Sequence, residues 1–393
     1  MNFSQLGVEI KFIEALWQFN IAEPLPIQQV VLPAVFAHQS IVAISQTGSG
    51  KTLSYLLPLV QLLDKEPTHR ALILAPTREL AQQIGGVCRA ICSVAGVDHC
   101  VIVGGVEYEP QRESLNGNPQ IIVATPGRLI DLLEQGGSGV DEIDHFVLDE
   151  VDQMLDLGFK EPILWLAKLR KTLAQTLCFS ATMPSELEAI VNQLSPSIKC
   201  LRIEGAPMAA SSIEHLGYYV SREMMDHLLI YLLGTQKAQH SIIFTRSRSM
   251  ADRLVGVLAQ NAIVAEAMHS DRSQAAREHI LDRFRSGQTS VIVATDVIAR
   301  GIDIDTISHV FNFGLPQNPE QYIHRCGRCG RVGRSGRTIS IFTPDERPIL
   351  NDICRLMKRH ILIEENHPYM TPDVTRALSG EAKKEKKRTN KRK

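Results

Sequence analysis

The sequence predicts an α/β protein with two domains, each built on a parallel β-sheet. Short apolar runs rich in β-branched residues recur in two series, and longer segments with helical spacing, such as 53–63 and 78–94, lie between them. Runs that are apolar throughout are typical of strands buried on both faces, and their alternation with helices is typical of a parallel sheet. The length of 393 residues also suits two to three domains.

The predicted strands fall on either side of a segment that has no apolar periodicity. The first series comprises 40–45, 71–75, 120–124, 145–149 and 176–180, and the second comprises 241–245, 264–268, 290–295, 309–313 and 338–343. Residues 204–213 between them are small and include Pro and Gly, which indicates a linker. We therefore expect a first domain at 1–203, a linker at 204–213, a second domain at 214–367 and a basic, disordered tail at 368–393.

The composition excludes several classes of protein. Hydrophobic residues make up 44% of the chain and charged residues 22%, which is typical of a folded globular protein. No apolar run reaches the ~18 residues of a membrane-spanning helix, and the N-terminus lacks the pattern of a secretory signal. Eight cysteines without a secretory context indicate reduced thiols. We expect a cytoplasmic protein with no membrane partner.

The charge is unevenly distributed along the chain. The formal net charge is −1, but residues 381–393 hold eight Lys or Arg against two Glu, so this segment carries +6 and the remainder −7. An acidic body with a basic tail suggests a polyanionic partner. A solvated tail that only aids solubility fits the same charge equally well.

The sharpest local motif is a glycine-containing loop between the first predicted strand and a helix. It consists of Ser45, Gln46, Thr47, Gly48, Ser49, Gly50, Lys51 and Thr52. Backbone amides of such a loop and the positive end of the following helix bind phosphate, while Lys51 reaches the β- and γ-oxygens and Thr52 binds magnesium. The motif therefore predicts a nucleoside triphosphate ligand with Mg²⁺.

Paired acids follow the fourth predicted strand, where parallel sheets place their ligands. Asp149 is expected to hold Mg²⁺, partly through water, and Glu150 to orient or deprotonate an attacking water. Acids after a strand also commonly cap a helix, and that alternative is weakened by the neighbouring phosphate loop.

Arginines recur every third residue in the second half of the chain. Arg325, Arg328 and Arg331 would lie near one face of a helix. Arginines that approach a transferring phosphoryl group from another domain raise its rate by ~10³ to 10⁵. A solvated basic face is the alternative. Cys326 and Cys329 in the same stretch have C-x-x-C spacing, but they read more simply as packing residues than as a metal or redox site.

The order of these motifs resembles the DEAD-box family of ATP-dependent RNA helicases, in its bacterial type, over residues 3 to about 331. The resemblance implies two RecA-like domains. Pro24-Leu-Pro-Ile-Gln28 resembles the adenine-reading Q motif, with Phe3 as its isolated upstream aromatic, and implies that Gln28 selects ATP. Two residues depart from the pattern: Val151 stands where the family name has Ala, and Ile21 stands where an aromatic usually packs on adenine.

The same resemblance assigns roles to further residues. It implies RNA contacts by Thr77, Arg78, Gly105, Thr125, Arg128, Arg277 and Thr295, and coupling between hydrolysis and strand separation by Asp152, Ser180, Thr182 and His324. It implies that Asp303 contacts the ATP ribose and that Arg328 and Arg331 are arginine fingers. Hydroxyls, glycine amides and guanidinium groups bind a sugar-phosphate chain without reading bases, so RNA binding should be sequence-tolerant.

We therefore expect an RNA-dependent ATPase that opens short RNA duplexes, or remodels RNA–protein complexes, by closing two domains over ATP and RNA. An ATP-gated RNA clamp with little turnover and a DNA translocase are the alternatives. Neither the RNA target nor a protein partner, such as the ribosome or an RNA-decay enzyme, is evident from the residues.

Overall fold

The computed structural model describes residues 1–19, 21–45, 49–136, 140, 142–195, 197–203, 213–236, 238, 240–296, 307–330, 336–372 and 374–375. The chain divides into two compact units, Met1–Ala206 and Pro207–Lys393. Of the predicted linker only Ile213 is described, and most of the predicted tail likewise lies outside the described residues.

The first unit is a parallel sheet covered by helices. Its strands are β1 (Ile41–Ile44), β2 (Ala71–Leu74), β3 (His99–Ile102), β4 (Ile121–Ala124), β5 (Ile143–Leu148), β6 (Arg170–Ser180) and β7 (Lys199–Arg202). Its helices are α1 (Ile10–Gln18), α2 (Pro26–Phe36), α3 (Lys51–Lys65), α4 (Arg78–Ala95), α5 (Glu109–Asn116), α6 (Pro126–Glu134), α7 (Val151–Asp156), α8 (Lys160–Leu166) and α9 (Ser185–Leu194). The described strands lie in the order β3-β4-β2-β5-β6-β1-β7.

Alternate residues of each central strand enter opposite cores. In β2, Ala71 and Ile73 belong to one hydrophobic cluster, and Leu72 and Leu74 belong to the other. This is the side-chain alternation of a strand, and both faces are apolar because helices cover both. The predicted parallel sheet, with strands buried on both faces, is confirmed.

The second unit repeats the plan. Its strands are β8 (Ile213–Tyr219), β9 (Ser241–Thr245), β10 (Ala265–Met268), β11 (Val291–Thr295), β12 (His309–Phe313), β13 (Gly336–Phe342) and β14 (Leu362–Ile363). Its described helices are α10 (Met225–Thr235), α11 (Arg248–Gln260), α12 (Gln274–Arg285), α13 (Pro319–Cys326) and α14 (Arg347–Met357). The strand order is β10-β11-β9-β12-β13-β8-β14, and every pairing in it is parallel.

Two further features concern the cysteines and membranes. All eight cysteines lie in the described part of the chain and are free thiols. In the same residues, we find no helix with the length and apolar character needed to cross a bilayer.

A buried histidine makes the stability of the first unit depend on pH. His145 lies on β5, where its Nδ1 is 2.9 Å from Oε1 of Gln175. Burial lowers the pKa of His145 to about 4, and the nearby His38 and His69 act in the same direction. In the unfolded chain the imidazole of His145 takes up a proton near pH 6.5. The contribution of neutral His145 to the stability of the fold is therefore complete above that pH and is lost as the pH falls towards 4.

We expect the titration of His145 to lower the free energy of unfolding of the first unit by about 2 kcal/mol between pH 7 and pH 5. His145→Gln should remove that part of the pH dependence, since glutamine does not titrate. Denaturant titrations can be followed by tryptophan fluorescence, because Trp17 and Trp165 both lie in the first unit. An unchanged pH slope in the variant would show that His145 is not the titrating group.

Candidate functional site

The phosphate loop of the first unit lies at the carboxyl end of β1. Ser45 follows the strand, and helix α3 begins at Lys51. Gly50 has a φ of 88°, and a Cβ at this position would lie 2.8 Å from both Nε2 of Gln28 and Cδ1 of Leu25. Glycine is therefore required here by its backbone conformation and by the close approach of α2. Gln46, Thr47 and Gly48 lie outside the described residues.

Lys51 is buried in a way that suits an anionic ligand. The side chain is 7% exposed, and its Nζ has no hydrogen-bond partner among the residues that the structure describes. A buried ammonium without a partner is costly, and a phosphate at the N-terminus of α3 would supply one. Thr52, the second residue of the helix, presents its hydroxyl at the same turn.

The residues of the Q motif contact the loop from α2. Gln28 donates from Nε2 to the carbonyl oxygen of Gly50 at 3.3 Å, and its Oε1 accepts from the Leu25 amide at 2.8 Å. Phe3 is 2% exposed and belongs to the hydrophobic core. The ring therefore packs within the first unit, and its contact with the nucleotide stays a prediction.

Asp149 follows β5 and is held by a tyrosine that the sequence did not single out. The hydroxyl of Tyr55 donates to Oδ2 of Asp149 at 2.9 Å. Burial raises the pKa of Asp149 to about 6, and Glu150 adds to the rise, while Lys51 and the Tyr55 hydrogen bond oppose it. A carboxylate in this setting is stabilised by a nearby cation, so Asp149 and Thr52 fit a Mg²⁺ site.

Glu150 occupies a left-handed backbone conformation with a φ of 52° at the start of α7. Its Oε2 is buried and has no hydrogen-bond partner in the described part of the chain. Such a conformation is unfavourable for a glutamate, and it is seen most often where function constrains the backbone. Val151, the departure from the family tetrad, is fully buried in the core beneath this turn.

Asp152 connects α7 to the residues after β6. Its Oδ2 accepts hydrogen bonds from the amides of Ala181 and Thr182, both at 3.0 Å, and from the Thr182 hydroxyl at 3.1 Å. Ser180, which ends β6, is fully buried, and its carbonyl oxygen accepts from the Ser45 amide at 2.9 Å. The segment 180–182 thus contacts both the acidic turn and the phosphate loop.

The RNA-contacting residues predicted in the first unit follow the three strands on the other side of β5. Thr77 caps α4 after β2, and Thr125 precedes α6 after β4. A Cβ at Gly105, which has a φ of 76°, would collide with the guanidinium of Arg78. Arg128 donates to the carbonyl oxygen of Val106 at 2.8 Å. These groups therefore lie along one edge of the sheet.

The predicted residues of the second unit lie on three elements. Thr295 ends β11, and Arg277 on α12 donates from Nε to the carbonyl oxygen of Arg272 at 3.1 Å. His324 lies on α13, and the Nε of Arg328 is 3.3 Å from the carbonyl oxygen of His324. Asp303 and Arg331 lie outside the described residues.

Arg325 and Arg328 do not share a helix face, which corrects the expectation from their spacing, and Arg331 lies outside the described residues. Helix α13 ends at Cys326, so Arg328 follows the helix. Arg325 is 2% exposed and binds both carboxylate oxygens of Asp296, at 2.5 and 2.7 Å. Its Nη1 also donates to Oδ1 of Asn312 at 3.0 Å. The buried side chain of Arg325 thus connects α13 to the end of β11.

Cys326 and Cys329 are buried thiols, and burial raises the pKa of Cys326 to about 12. A thiol with so high a pKa is a poor nucleophile and a poor metal ligand at neutral pH. No group of three or more His, Cys, Asp or Glu in the described ranges is placed to hold a metal ion. The burial of Cys326 and Cys329 is typical of packing residues.

One residue of the site escaped the sequence analysis, Tyr55, and the partner of Arg325 was not predicted. The signal for Tyr55 was its position four residues after Lys51, which places both on one face of α3. Arg325 and Asp296 are 29 positions apart in the sequence, so no local pattern predicts their ion pair.

Family models match both units of the chain. A model described as "DEAD/DEAH box helicase" matches residues 25–190, and one described as "Helicase conserved C-terminal domain" matches residues 223–333. The ATP-dependent RNA helicase CshA of Listeria monocytogenes is 35% identical over 381 residues, which are 97% of this chain and 72% of the relative. The RNA helicase CrhR of Synechocystis is 36% identical over 361 residues, with 92% and 73% covered.

Solved structures give the same result. Dbp5 of S. cerevisiae bound to RNA and ADP BeF3 matches with a TM-score of 0.84 and 29% identity, over 92% of this chain and 95% of that one. The DEAD-box helicase Mss116 bound to ssRNA and UDP-BeF matches with a TM-score of 0.82 and 25% identity, over 95% and 81%. Both matches extend over the two units of this chain.

The contacts of Asp152 lead to a stability prediction. Asp152→Ala should lower the free energy of unfolding by about 2 kcal/mol, because two backbone amides lose their acceptor. Thr182→Val should cost only about 1 kcal/mol, since it removes one hydroxyl donor and leaves both amide bonds in place. Urea unfolding followed by tryptophan fluorescence measures both. Equal losses would mean that the amide contacts contribute little.

Proposed function

Because the chain belongs to the DEAD-box family of ATP-dependent RNA helicases, we propose that it uses ATP to open short RNA duplexes or to remodel RNA–protein complexes. The observation that carries this proposal is the buried Nζ of Lys51, close to Asp149 and without a hydrogen-bond partner in the part of the first unit that the structure describes. Burying such a group is costly, and an anionic ligand would offset that cost.

The phosphate loop would bind the triphosphate. Lys51 neutralises the β- and γ-oxygens, the loop amides and the N-terminus of α3 bind the remaining charge, and Gln28 selects adenine. Thr52 and Asp149 would hold Mg²⁺, partly through water, and the ion when bound neutralises phosphate charge. Glu150 orients the attacking water and accepts its proton. Asp303, outside the described residues, is proposed to contact the ribose.

RNA would lie along the two carboxyl edges. Hydroxyls of Thr77, Thr125 and Thr295 and guanidinium groups of Arg78, Arg128 and Arg277 suit phosphate and 2′-hydroxyl groups, and Gly105 allows a close approach of the backbone. None of these groups recognises a base edge in a fixed way, so we propose sequence-tolerant binding.

Hydrolysis and RNA binding would be coupled by closure of the two units over both ligands. In the closed state, Arg328 and Arg331 would stabilise charge on the transferring phosphoryl group, and His324 would meet the acidic turn. Asp152 would transmit the state of that turn to Ser180 and Thr182, because its carboxylate binds the segment that contains them. We also propose that the protein acts in the cytoplasm, where its eight free thiols remain reduced.

Phosphate release stimulated by different nucleic acids tests this function. We expect single-stranded RNA to stimulate hydrolysis and DNA of the same sequence to do so weakly. Glu150→Gln should reduce the stimulated rate by about 10² to 10⁴ while RNA binding with ATP persists, since the glutamine no longer accepts a proton. Glu188→Gln, an exposed position on α9, is the matched control.

Two results would contradict the proposal. Equal stimulation by RNA and DNA would favour a DNA translocase, and wild-type RNA binding without turnover would favour an ATP-gated clamp.

The hydrogen bond between Tyr55 and Asp149 gives a further prediction. Tyr55→Phe keeps the ring packed on Phe179, at a centroid distance of 4.9 Å, but removes the donor to Asp149. We expect about tenfold more Mg²⁺ to be needed for half-maximal ATPase activity, because partners of a metal ligand tune its affinity. Tyr231→Phe, an exposed tyrosine on α10, is the control. An unchanged Mg²⁺ requirement would remove Tyr55 from the site.

A further inference from the structure

A groove of about 670 Å³ lies at the edge of the second sheet, away from the residues discussed so far. One wall is α14, and the other consists of the end of β8 and the segment 358–365, which contains β14. Strand β14 is the last strand of the sheet, and it pairs with Leu216 and Gly217 of β8. The groove therefore follows an open sheet edge.

The groove combines an apolar floor with a cationic rim. Leu350 and Ile361 are buried at the floor. The exposed rim carries four cationic side chains, Arg347, Arg355, Lys358 and Arg359, and one acidic side chain, Glu365. The lining residues thus have a net charge of +3, although the chain without its last thirteen residues carries −7. The groove is therefore positively charged, whereas the chain without its last thirteen residues is acidic as a whole.

The electric field of these arginines acts on neighbouring side chains of β8. Burial lowers the pKa of His215 to about 4, and the charge of Arg359 lowers it further. Burial raises the pKa of Tyr219, and the charge of Arg347 opposes that rise. Arg347 and Arg359 both line the groove together with Tyr219, so their charges add there.

The groove is separate from the RNA contacts proposed above for the second unit. Thr295 ends β11, and β8 is four strands away from β11 in the sheet order. At ~4.8 Å between strands, the end of β8 lies roughly 19 Å from that of β11. Arg277, on the helix between β10 and β11, also belongs to the far side of the sheet. One short strand of RNA held at Thr295 would not cover the groove.

The charge of the groove restricts what can occupy it. The chain's own terminal segment, 381–393, carries +6 and would be repelled. A polyanion fits the four cationic side chains, and RNA is the polyanion that the proposed function already brings to this unit. Contacts at the rim would meet phosphates along the strand without reading bases.

We propose that this groove, between α14 and the β8–β14 edge, is a second RNA-binding surface that holds the phosphate backbone of RNA extending beyond the segment bound at Thr295. The proposal rests on the proposed function and deepens it. It makes the protein prefer RNAs with a flanking strand or duplex arm over isolated short strands. The added contacts are electrostatic, so the preference weakens as salt concentration rises.

The test uses the full chain with Arg355→Gln and Lys358→Gln together. Both positions are exposed, and Arg355 forms a surface ion pair with Asp352 at 3.0 Å, so we expect the fold to be retained. The matched control is Lys168→Gln with Lys199→Gln, two exposed lysines of the first unit that change the net charge equally. ATPase stimulation is measured with a short single-stranded RNA and with the same RNA extended by a duplex arm.

We expect the groove variant to need about five- to tenfold more extended RNA for half-maximal stimulation at low salt, and its salt slope for that RNA to fall by about one to two units. Stimulation by the short RNA should be unchanged, and the control should match wild type with both RNAs. Unchanged use of the extended RNA, or equal weakening with both RNAs, would overturn the proposal. If the groove variant and the control variant are both weakened equally with both RNAs, the change in net charge alone explains the loss. If no RNA stimulates the wild type, the proposed function fails instead.

Discussion

The position of β5 in the middle of the first sheet is the constraint on which the site depends. The order β3-β4-β2-β5-β6-β1-β7 places the ends of β3, β4 and β2 on one side of Asp149 and Glu150, and the ends of β6 and β1 on the other. Loops at the carboxyl end of a parallel sheet all meet at one edge. The acidic turn therefore lies between the residues proposed to contact RNA and the loop proposed to bind phosphate.

The polar groups at this edge divide into satisfied and unsatisfied ones. Oδ2 of Asp152 accepts three hydrogen bonds and fixes the segment after β6, and Oδ2 of Asp149 accepts one from Tyr55. Nζ of Lys51 and Oε2 of Glu150 are buried without partners among the described residues. Groups that are fixed in place need no reorganisation when charge develops, and groups left unpaired are completed by a ligand. At this edge of the sheet, Asp152 and Asp149 thus bind other protein groups, while Lys51 and Glu150 are available to a ligand.

Sequence reasoning succeeded where a local pattern carries the information. The central strands β1 and β2 are apolar throughout because both faces are covered, and they were predicted within a residue or two. The edge strands β3 and β7 were missed, because His99 and Lys199 begin short strands that are partly exposed and lack a continuous apolar run. Motif spacing located the phosphate loop and the acidic turn. It did not reveal that Gly327 ends α13 before Arg328, nor that Arg325 pairs with the distant Asp296, because tertiary contacts decide both.

The pairing of β1 has a consequence for how the protein is made. Ile41 pairs with Leu177 of β6 on one side and with Lys199 of β7 on the other. The ribosome adds ~5 to 20 residues per second, so β1 waits roughly 7 to 27 s for β6 to be synthesised. Until then, both hydrogen-bonding edges of β1 lack their partners in the nascent chain. The strand that carries the phosphate loop is therefore among the first to be translated and among the last to complete its pairing.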